Sequence, residues 1–308
     1  MGSYAEDHMI PYLLQYGDAD VACGTGVAMG AFLNSFERVT APPHRAAVPT
    51  LLSAAVCAQQ RAWEAELLRL RSLFRGNTTE ALDARIVEQR NHVIAARRLN
   101  EAHERTQAAF PKKGASCPVL ENDYDKMVWL LGALSAIQGV QHDRAAAGAV
   151  GIPLDVPVQA ARATACLNNK EWWGVPLAIR AAIWATVPGT GPPSADPWAM
   201  LQESLDIADA AKVRLAYTVL IQTAEANGRK DLMEETVRRM ASKLAAHPAA
   251  VKWRTFDQIA LLQARFVSDK AWTVATGSRT PFGEFGSLPQ KVKKSPDTKA
   301  SDELLDGL

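Results

Sequence analysis

The sequence predicts an all-α protein, a bundle of stacked antiparallel helix hairpins. Apolar residues recur three or four positions apart, as on one face of a helix, and no stretch alternates apolar and polar residues as a strand would. Short joints marked by Gly, Pro or Asn separate these periodic segments. With 308 residues the chain is long enough to bury a substantial core.

The first half of the chain predicts four helices. Trp63, Leu67 and Phe74 repeat at helical spacing along the second of them. Asn77 is placed to cap the third, with Glu80 three residues further on in capping-box position. The predicted ranges are 18–39, 48–74, 78–110 and 123–147.

The second half predicts five more helices. Pro176 suits the first turn of one helix, because a missing N–H costs nothing there. Asn227–Gly228 and His247–Pro248 mark two of the joints. The predicted ranges are 158–167, 177–187, 198–226, 231–246 and 250–267.

Helix pairs with short joints indicate a TPR-like array or an irregular α-solenoid, although no clean period of about 34 residues is visible. We expect residues 1–275 to form a single helical domain, which could divide only near the Pro- and Gly-rich segment 188–197. Residues 276–308 are rich in Gly, Ser, Pro and Lys, so we expect a mobile tail there.

Composition excludes some classes of partner. A formal net charge of +1 gives no basic field for a nucleic acid. The longest apolar run, Met127–Val140, is shorter than the roughly 20 residues that cross a bilayer. No leader is visible, and we expect that a native one was removed before the opening Met-Gly-Ser.

The four cysteines are far apart and form no paired motif. Cys23, Cys57, Cys117 and Cys166 could be buried thiols inside helices, which is the reading that the helical pattern favours. The alternative is one or two disulfides in an oxidising compartment, with three possible connectivities.

No recognisable catalytic, metal or cofactor motif is present. Gly24, Gly26 and Gly30 mimic part of a dinucleotide loop, but the strand that such a loop must follow is missing. His92 and His103 share a helix face, whereas a closed metal site needs three or four converging ligands. We therefore expect no enzyme, no metal and no cofactor.

The most informative segment is 121–189, which contains four of the eight tryptophans in two strongly apolar helices. Helices that are apolar on every side either lie deep in a core or line a cavity for an apolar ligand. We expect such a cavity between helix 123–147 and segment 171–187, although the tryptophans could also serve packing alone. The candidate ligand-binding residues are Trp129, Leu134, Asp143, Trp172, Trp173, Arg180, Ile183 and Trp184.

The run from residue 129 to residue 189, including EWWGVPLAIRAAIWATVPG, resembles the TatT family, and residues 17–39 are similar to that family's first helix. The resemblance covers roughly residues 10–270. TatT proteins are periplasmic, TPR-like components encoded beside some TRAP transporters, and BstC-like members belong to a bacterial sterol transport system. The resemblance implies a periplasmic or outer-membrane-associated protein whose partners are a periplasmic binding protein and an inner-membrane transporter.

Two functional hypotheses follow. In the first, the protein holds a hydrophobic small molecule, a sterol or related lipid, with Arg180 or Asp143 bonded to its one polar group; an organic acid is the less apolar alternative. In the second, the protein is a scaffold that docks the periplasmic substrate-binding protein of a TRAP-type organic-acid transporter. A homo-oligomer is compatible with either hypothesis.

Overall fold

The computed structural model describes residues 4–38, 41–111 and 117–289. The model is 76% helical, with eleven α-helices and no strand in the described ranges, which confirms the all-α prediction. The helices are α1 Ile10–Tyr16, α2 Ala19–Ser35, α3 His44–Phe74, α4 Thr78–Ala109, α5 Asp123–Ala145, α6 Val156–Ala163, α7 Val175–Thr186, α8 Pro197–Ala211, α9 Leu215–Ala226, α10 Lys230–Ala246 and α11 Arg254–Thr276.

Consecutive helices pack as hairpins, and the last helix closes the array. The pairs α3–α4, α4–α5, α7–α8 and α9–α10 contact each other along the chain, while α11 returns to pack against α1, α3 and α9. The ends of the hairpin array therefore meet and enclose a space between them. One hydrophobic core runs through the helices on both sides of segment 188–197.

Side-chain caps fix several helix starts. The Oδ1 of Asn77 accepts a hydrogen bond from the backbone N of Glu80 at 3.2 Å, as the capping-box spacing predicts. Asn122 caps α5 in the same way, and Asp196 caps α8. Each cap satisfies backbone donors that a first helical turn leaves unpaired.

The predicted helix 198–226 is two helices, which corrects the sequence-based boundary. The chain breaks at Lys212, whose φ of 57° lies in the left-handed region. No Gly or Pro marks this break in the sequence. Contacts with residues distant in the chain hold it instead. The backbone N of Arg214 donates to Asp257, and the backbone N of Ala250 donates to the carbonyl of Lys212.

The chain beyond α11 differs from the predicted tail as far as the structure describes it. The indole N–H of Trp272 donates to the carbonyl of Ser287, and the backbone N of Thr280 donates to Asp269. Arg279 forms an ion pair with Glu64 on α3. Residues 277–289 thus fold back onto the helices, and the rest of the predicted tail, 290–308, lies outside the described residues.

All four cysteines are paired in disulfides, so the reading as buried thiols was wrong. Cys23–Cys57 joins α2 to α3, and Cys117–Cys166 joins the segment before α5 to the short turn that follows α6. The pairs close sequence separations of 34 and 49 residues. In the chain-entropy model each restricts the unfolded chain by about 4 kcal/mol.

Candidate functional site

A cavity of about 430 Å³ lies between α3, α5, α6, α7, α9 and α11. Its inner wall is formed by buried side chains of α3 and α11, and its mouth by the exposed C-terminal ends of α5, α7 and α9. Small-molecule sites typically span roughly 300–1,000 Å³. The aliphatic lining includes Leu52, Val56, Leu131, Leu134, Ile179, Ile183, Val219 and Ile259.

Helix α5 forms one side of the cavity because it is apolar on more than one face. Leu131 and Leu134 line the cavity. Ala133 and Ala136 lie on another face, where they cluster with Ala160 of α6. The small residues let α6 approach closely, so the larger ones remain free to line a cavity on the other side.

Polar groups in the cavity are mostly uncharged amides and hydroxyls. Gln59, Gln138 and Gln263 line its interior. The hydroxyls of Thr218 and Thr223 donate to carbonyls of their own helix, α9. Charge enters only at the mouth among the lining residues, where Arg144 is exposed at the end of α5.

A buried chain of polar side chains leads from Gln59 away from the cavity. The Nε2 of Gln59 lies 2.9 Å from the Nε2 of His142, and the Nδ1 of His142 lies 2.7 Å from the Nδ1 of His92. The Nε2 of His92 is 3.9 Å from Glu88, which pairs with Arg69. Five buried or partly buried groups thus connect the cavity wall to the outer side of the α3–α4 hairpin.

The contacts of the two histidines are consistent with both rings being neutral. Two ring nitrogens 2.7 Å apart require one donor and one acceptor, so the pair shares one proton between them. If His142 donates from Nδ1, its Nε2 accepts from the Gln59 amide, and the Nε2–H of His92 faces Glu88. Both imidazoles are then neutral. Burial, together with the neighbouring His92, lowers the pKa of His142 to about 3.

Stability should fall as pH falls because these histidines must stay neutral in the folded state. Burial also lowers the pKa of His92, which Glu88 opposes. In the unfolded chain these histidines take up protons below their ordinary pKa of about 6.5. The loss of stability therefore begins near pH 6.5 and continues toward pH 3. By pH 5, His142 alone should cost about 2 kcal/mol of unfolding free energy, at about 1.4 kcal/mol per pH unit.

Urea unfolding between pH 7.5 and 5 measures this dependence. His142→Gln should reduce the slope of unfolding free energy against pH, because glutamine does not titrate and the histidine with the lowered pKa is gone. The exposed His8 is the matched control, and His8→Gln should keep the slope of the parent protein. Equal slopes for all three proteins would show that the buried pair does not control acid stability.

The structure places two of the eight predicted site residues at the cavity. Leu134 of α5 and Ile183 of α7 both line it, so it lies between the two segments where we expected a pocket. The other six residues do not line it. Their contacts assign them to packing or to fixing loops.

Trp129 and Asp143 lie on α5 but face away from the cavity. The indole N–H of Trp129 donates to the carbonyl of Ala163 at 2.9 Å, and its ring meets Phe110 edge-on. The carboxylate of Asp143 accepts backbone N–H bonds from residues 150–152. Asp143 therefore anchors the loop between α5 and α6, and it is unavailable to orient a ligand in the cavity.

The remaining candidates surround α7. Trp172 and Trp173 are buried in an aromatic cluster with Trp253 and Phe256. We expected Arg180 to bond the polar group of a ligand, but its guanidinium donates to the carbonyl of Thr164 and to Asn169. Trp184 is half-buried, and its ring packs against Gly191 in the loop after α7. Only Phe256 of these aromatic residues lines the cavity.

Sequence reasoning missed the inner wall of the cavity. Gln59 and Gln263 each lie within an otherwise apolar stripe, on α3 and α11 respectively. A glutamine flanked by apolar residues one turn away on each side is the feature that could have indicated them. Which helices meet across the core could not be inferred, because α3 and α11 are about 200 residues apart.

The fold and the site define an all-α protein with an apolar cavity lined by six helices. Within the ranges that the structure describes, no group of His, Cys, Asp and Glu has the geometry of a metal site. No helix in those ranges has both the length and the hydropathy needed to cross a membrane. Comparisons with family models, curated proteins and solved structures found no match to this chain.

Proposed function

We propose that this protein is a non-enzymatic carrier that holds a hydrophobic small molecule, of the sterol or related lipid class, in the cavity. The cavity itself carries the proposal. Protein interiors are close-packed and rarely contain voids larger than a water molecule. The cavity in this protein is about 430 Å³, and its lining is mainly aliphatic. Water gains few hydrogen bonds in such a space, so an apolar ligand is its natural occupant.

The chemistry of the lining favours binding over turnover. Catalysis needs a nucleophile, a base or a stabilising charge aimed at one reacting atom. The lining instead offers amides, and threonine hydroxyls that donate to their own helix carbonyls. A rigid ring system with one polar group suits these walls, because it loses little conformational entropy on binding.

Two further features support the proposed setting. Disulfides persist in oxidising compartments, and this chain forms two of them, which supports the periplasm. The partners proposed from the TatT resemblance are a periplasmic binding protein and an inner-membrane transporter. Such partners would deliver the ligand to the cavity mouth or receive it there, since the exposed ends of three helices meet at that point.

Equilibrium binding to sterols, fatty acids and aromatic carboxylates tests the proposal. A ligand of about thirty heavy atoms at roughly 0.3 kcal/mol per atom would reach about 9 kcal/mol, a Kd below about 1 µM. If no member of the panel binds more tightly than about 1 mM, the carrier proposal fails.

Filling the cavity should weaken this binding. Ile183→Trp places a larger side chain into the cavity, and we expect the Kd to rise about tenfold or more, equivalent to about 1.4 kcal/mol. Ile86→Trp makes the same replacement on the exposed face of α4 and should leave the Kd unchanged. Thermal melting of both variants verifies folding, and Ala182→Phe provides a second cavity-filling variant. Unchanged affinity in both folded cavity variants would place the ligand elsewhere.

The scaffold hypothesis has one specific observation in its favour. Leu82, Ile86, Val87 and Ile94 are exposed along α4, and Leu68 of α3 lines the same surface groove as Val87. Exposed apolar side chains grouped in this way are typical of protein-binding surfaces. In this second candidate function, a periplasmic substrate-binding protein of a TRAP-type organic-acid transporter docks there. Binding of that protein, lost in Ile86→Glu and retained in Ile183→Trp, would support the scaffold.

A further inference from the structure

We infer that the inner wall of the cavity recognises a neutral hydroxyl group on the ligand through the amides of Gln59 and Gln263. This inference rests on the proposed function and narrows its ligand class. It requires an apolar molecule that carries its hydroxyl at the end that enters first. A ligand whose polar end is a carboxylate does not satisfy it.

Contacts between α3 and α11 place the two amides at the same level. The rings of Trp63 and Phe266 stack with centroids 4.9 Å apart, and Lys270 pairs with Glu66 one turn further along. The two helices therefore run parallel, with an offset of 203 or 204 in residue number. Gln59 and Gln263 differ by 204, and both line the cavity.

Gln263 has an acceptor without a partner. Its side chain is only 5% exposed, and its Oε1 is buried with no hydrogen bond. Buried polar atoms are nearly always hydrogen-bonded in native proteins, so an exception on a cavity wall points to a missing partner. The terminal torsion of a glutamine is soft, so a small rotation turns this amide toward a ligand.

Gln59 is held in one orientation by groups behind it. Its Nε2 donates to the Oε1 of Gln138 at 3.0 Å and lies 2.9 Å from the Nε2 of His142. Both amide hydrogens are therefore used, and its Oε1 is left as an acceptor. An alcohol donates to these two acceptors, and its oxygen can also accept from the Gln263 amide N–H, whereas an ether or an ionised carboxylate has no donor.

The mouth also disfavours an anion. Helices α5, α7 and α9 all end there, and helix C-termini carry partial negative charge. Arg144 is the cation among the lining residues, and it is exposed at the C-terminal end of α5, where it offsets that charge. A carboxylate buried against the inner wall would have no cation beside it, and burying an unpaired charge is strongly unfavourable.

Pairs of ligands that differ only in the hydroxyl test the inference. The probes are cholesterol and its methyl ether, hexadecanol and its methyl ether, and hexadecanoate. We expect the parent protein to bind at least one alcohol about tenfold more tightly than its ether, and hexadecanoate more weakly than hexadecanol. Gln263→Leu should reduce the preference for the alcohol over the ether, because only the Gln59 acceptor remains, and its Tm should be unchanged or higher because an unpaired buried group is gone.

Gln222→Leu is the matched control, because Gln222 lines the same cavity nearer the mouth and is half-buried. It should keep the preference of the parent protein for the alcohol. Three results would each overturn the inference while the carrier proposal stands. They are equal affinity of the parent for alcohol and ether, an undiminished preference for the alcohol in Gln263→Leu, and tighter binding of hexadecanoate than of hexadecanol. If none of the probes binds, both fail.

Discussion

Asp257→Ala is expected to lower the free energy of unfolding by about 3–5 kcal/mol, the typical cost of removing one partner from a buried ion pair. The carboxylate of Asp257 accepts from the guanidinium of Arg214 at 2.7 Å and from its backbone N at 2.9 Å. Both side chains are almost completely buried. Without Asp257, Arg214 stays buried with an uncompensated charge, because its remaining acceptors among the described residues are the neutral carbonyls of Lys243 and His247.

The position of this pair explains why it should matter. Arg214 precedes α9, Asp257 lies in the first turn of α11, and the two carbonyls belong to the end of α10. One guanidinium thus connects three helices at the break that follows α8. The pair fixes how α9 and α11, two sides of the cavity, meet.

Urea unfolding at pH 7 measures the effect. Asp206→Ala is the control, because Asp206 also pairs with an arginine, Arg239, but its side chain is mostly exposed. Exposed pairs contribute about 0–1 kcal/mol. The double variant Arg214→Met with Asp257→Leu should recover much of the loss, since well-packed apolar residues can replace a buried pair. A loss at Asp257 no larger than at Asp206 would contradict this account.

Local features of the fold could be predicted from the sequence. Periodicity and caps located most helices, because a capping residue such as Asn77 acts on backbone groups only a few positions away. The break at Lys212 could not be predicted in this way. It depends on Asp257, more than forty residues further along the chain.

The cavity was predictable in part for a similar reason. Helix α5 is apolar on more than one face, which indicates that it packs against more than one neighbour, and Leu134 on one of these faces lines the cavity. The sequence could not show that the cavity is backed by α3 and α11. The prediction also relied too heavily on the tryptophans, because their large apolar area serves packing as well as binding.

Trp173→Ala provides the sharpest distinction between those two roles, and we expect it to lower the free energy of unfolding by about 3–5 kcal/mol. The Trp173 ring meets Trp172 and Trp253 edge-on at centroid distances of 5.3 and 4.7 Å, and lies 5.8 Å from Phe256. Removing it leaves a void among these rings. Trp184→Ala should cost less, because that ring is half-buried.

Backbone strain at Trp173 can be separated from packing. Its φ of 55° lies in the left-handed region. This conformation is strained for alanine as it is for tryptophan, but it is unstrained for glycine. Trp173→Gly should therefore recover about 1 kcal/mol relative to Trp173→Ala, and the difference between Trp173→Gly and the parent protein reports mostly the lost packing.

Ligand affinity completes the distinction. Trp173 lies behind Phe256, and Phe256 lines the cavity, so folded Trp173→Ala should bind with a Kd within about threefold of the parent, a change below about 0.7 kcal/mol. Denaturant midpoint and Kd are measured on the same preparations. The opposite result would be a Trp173→Ala variant that keeps the parent's stability but binds the ligand weakly. It would show that the ligand reaches past Phe256 to Trp173, as the sequence alone suggested.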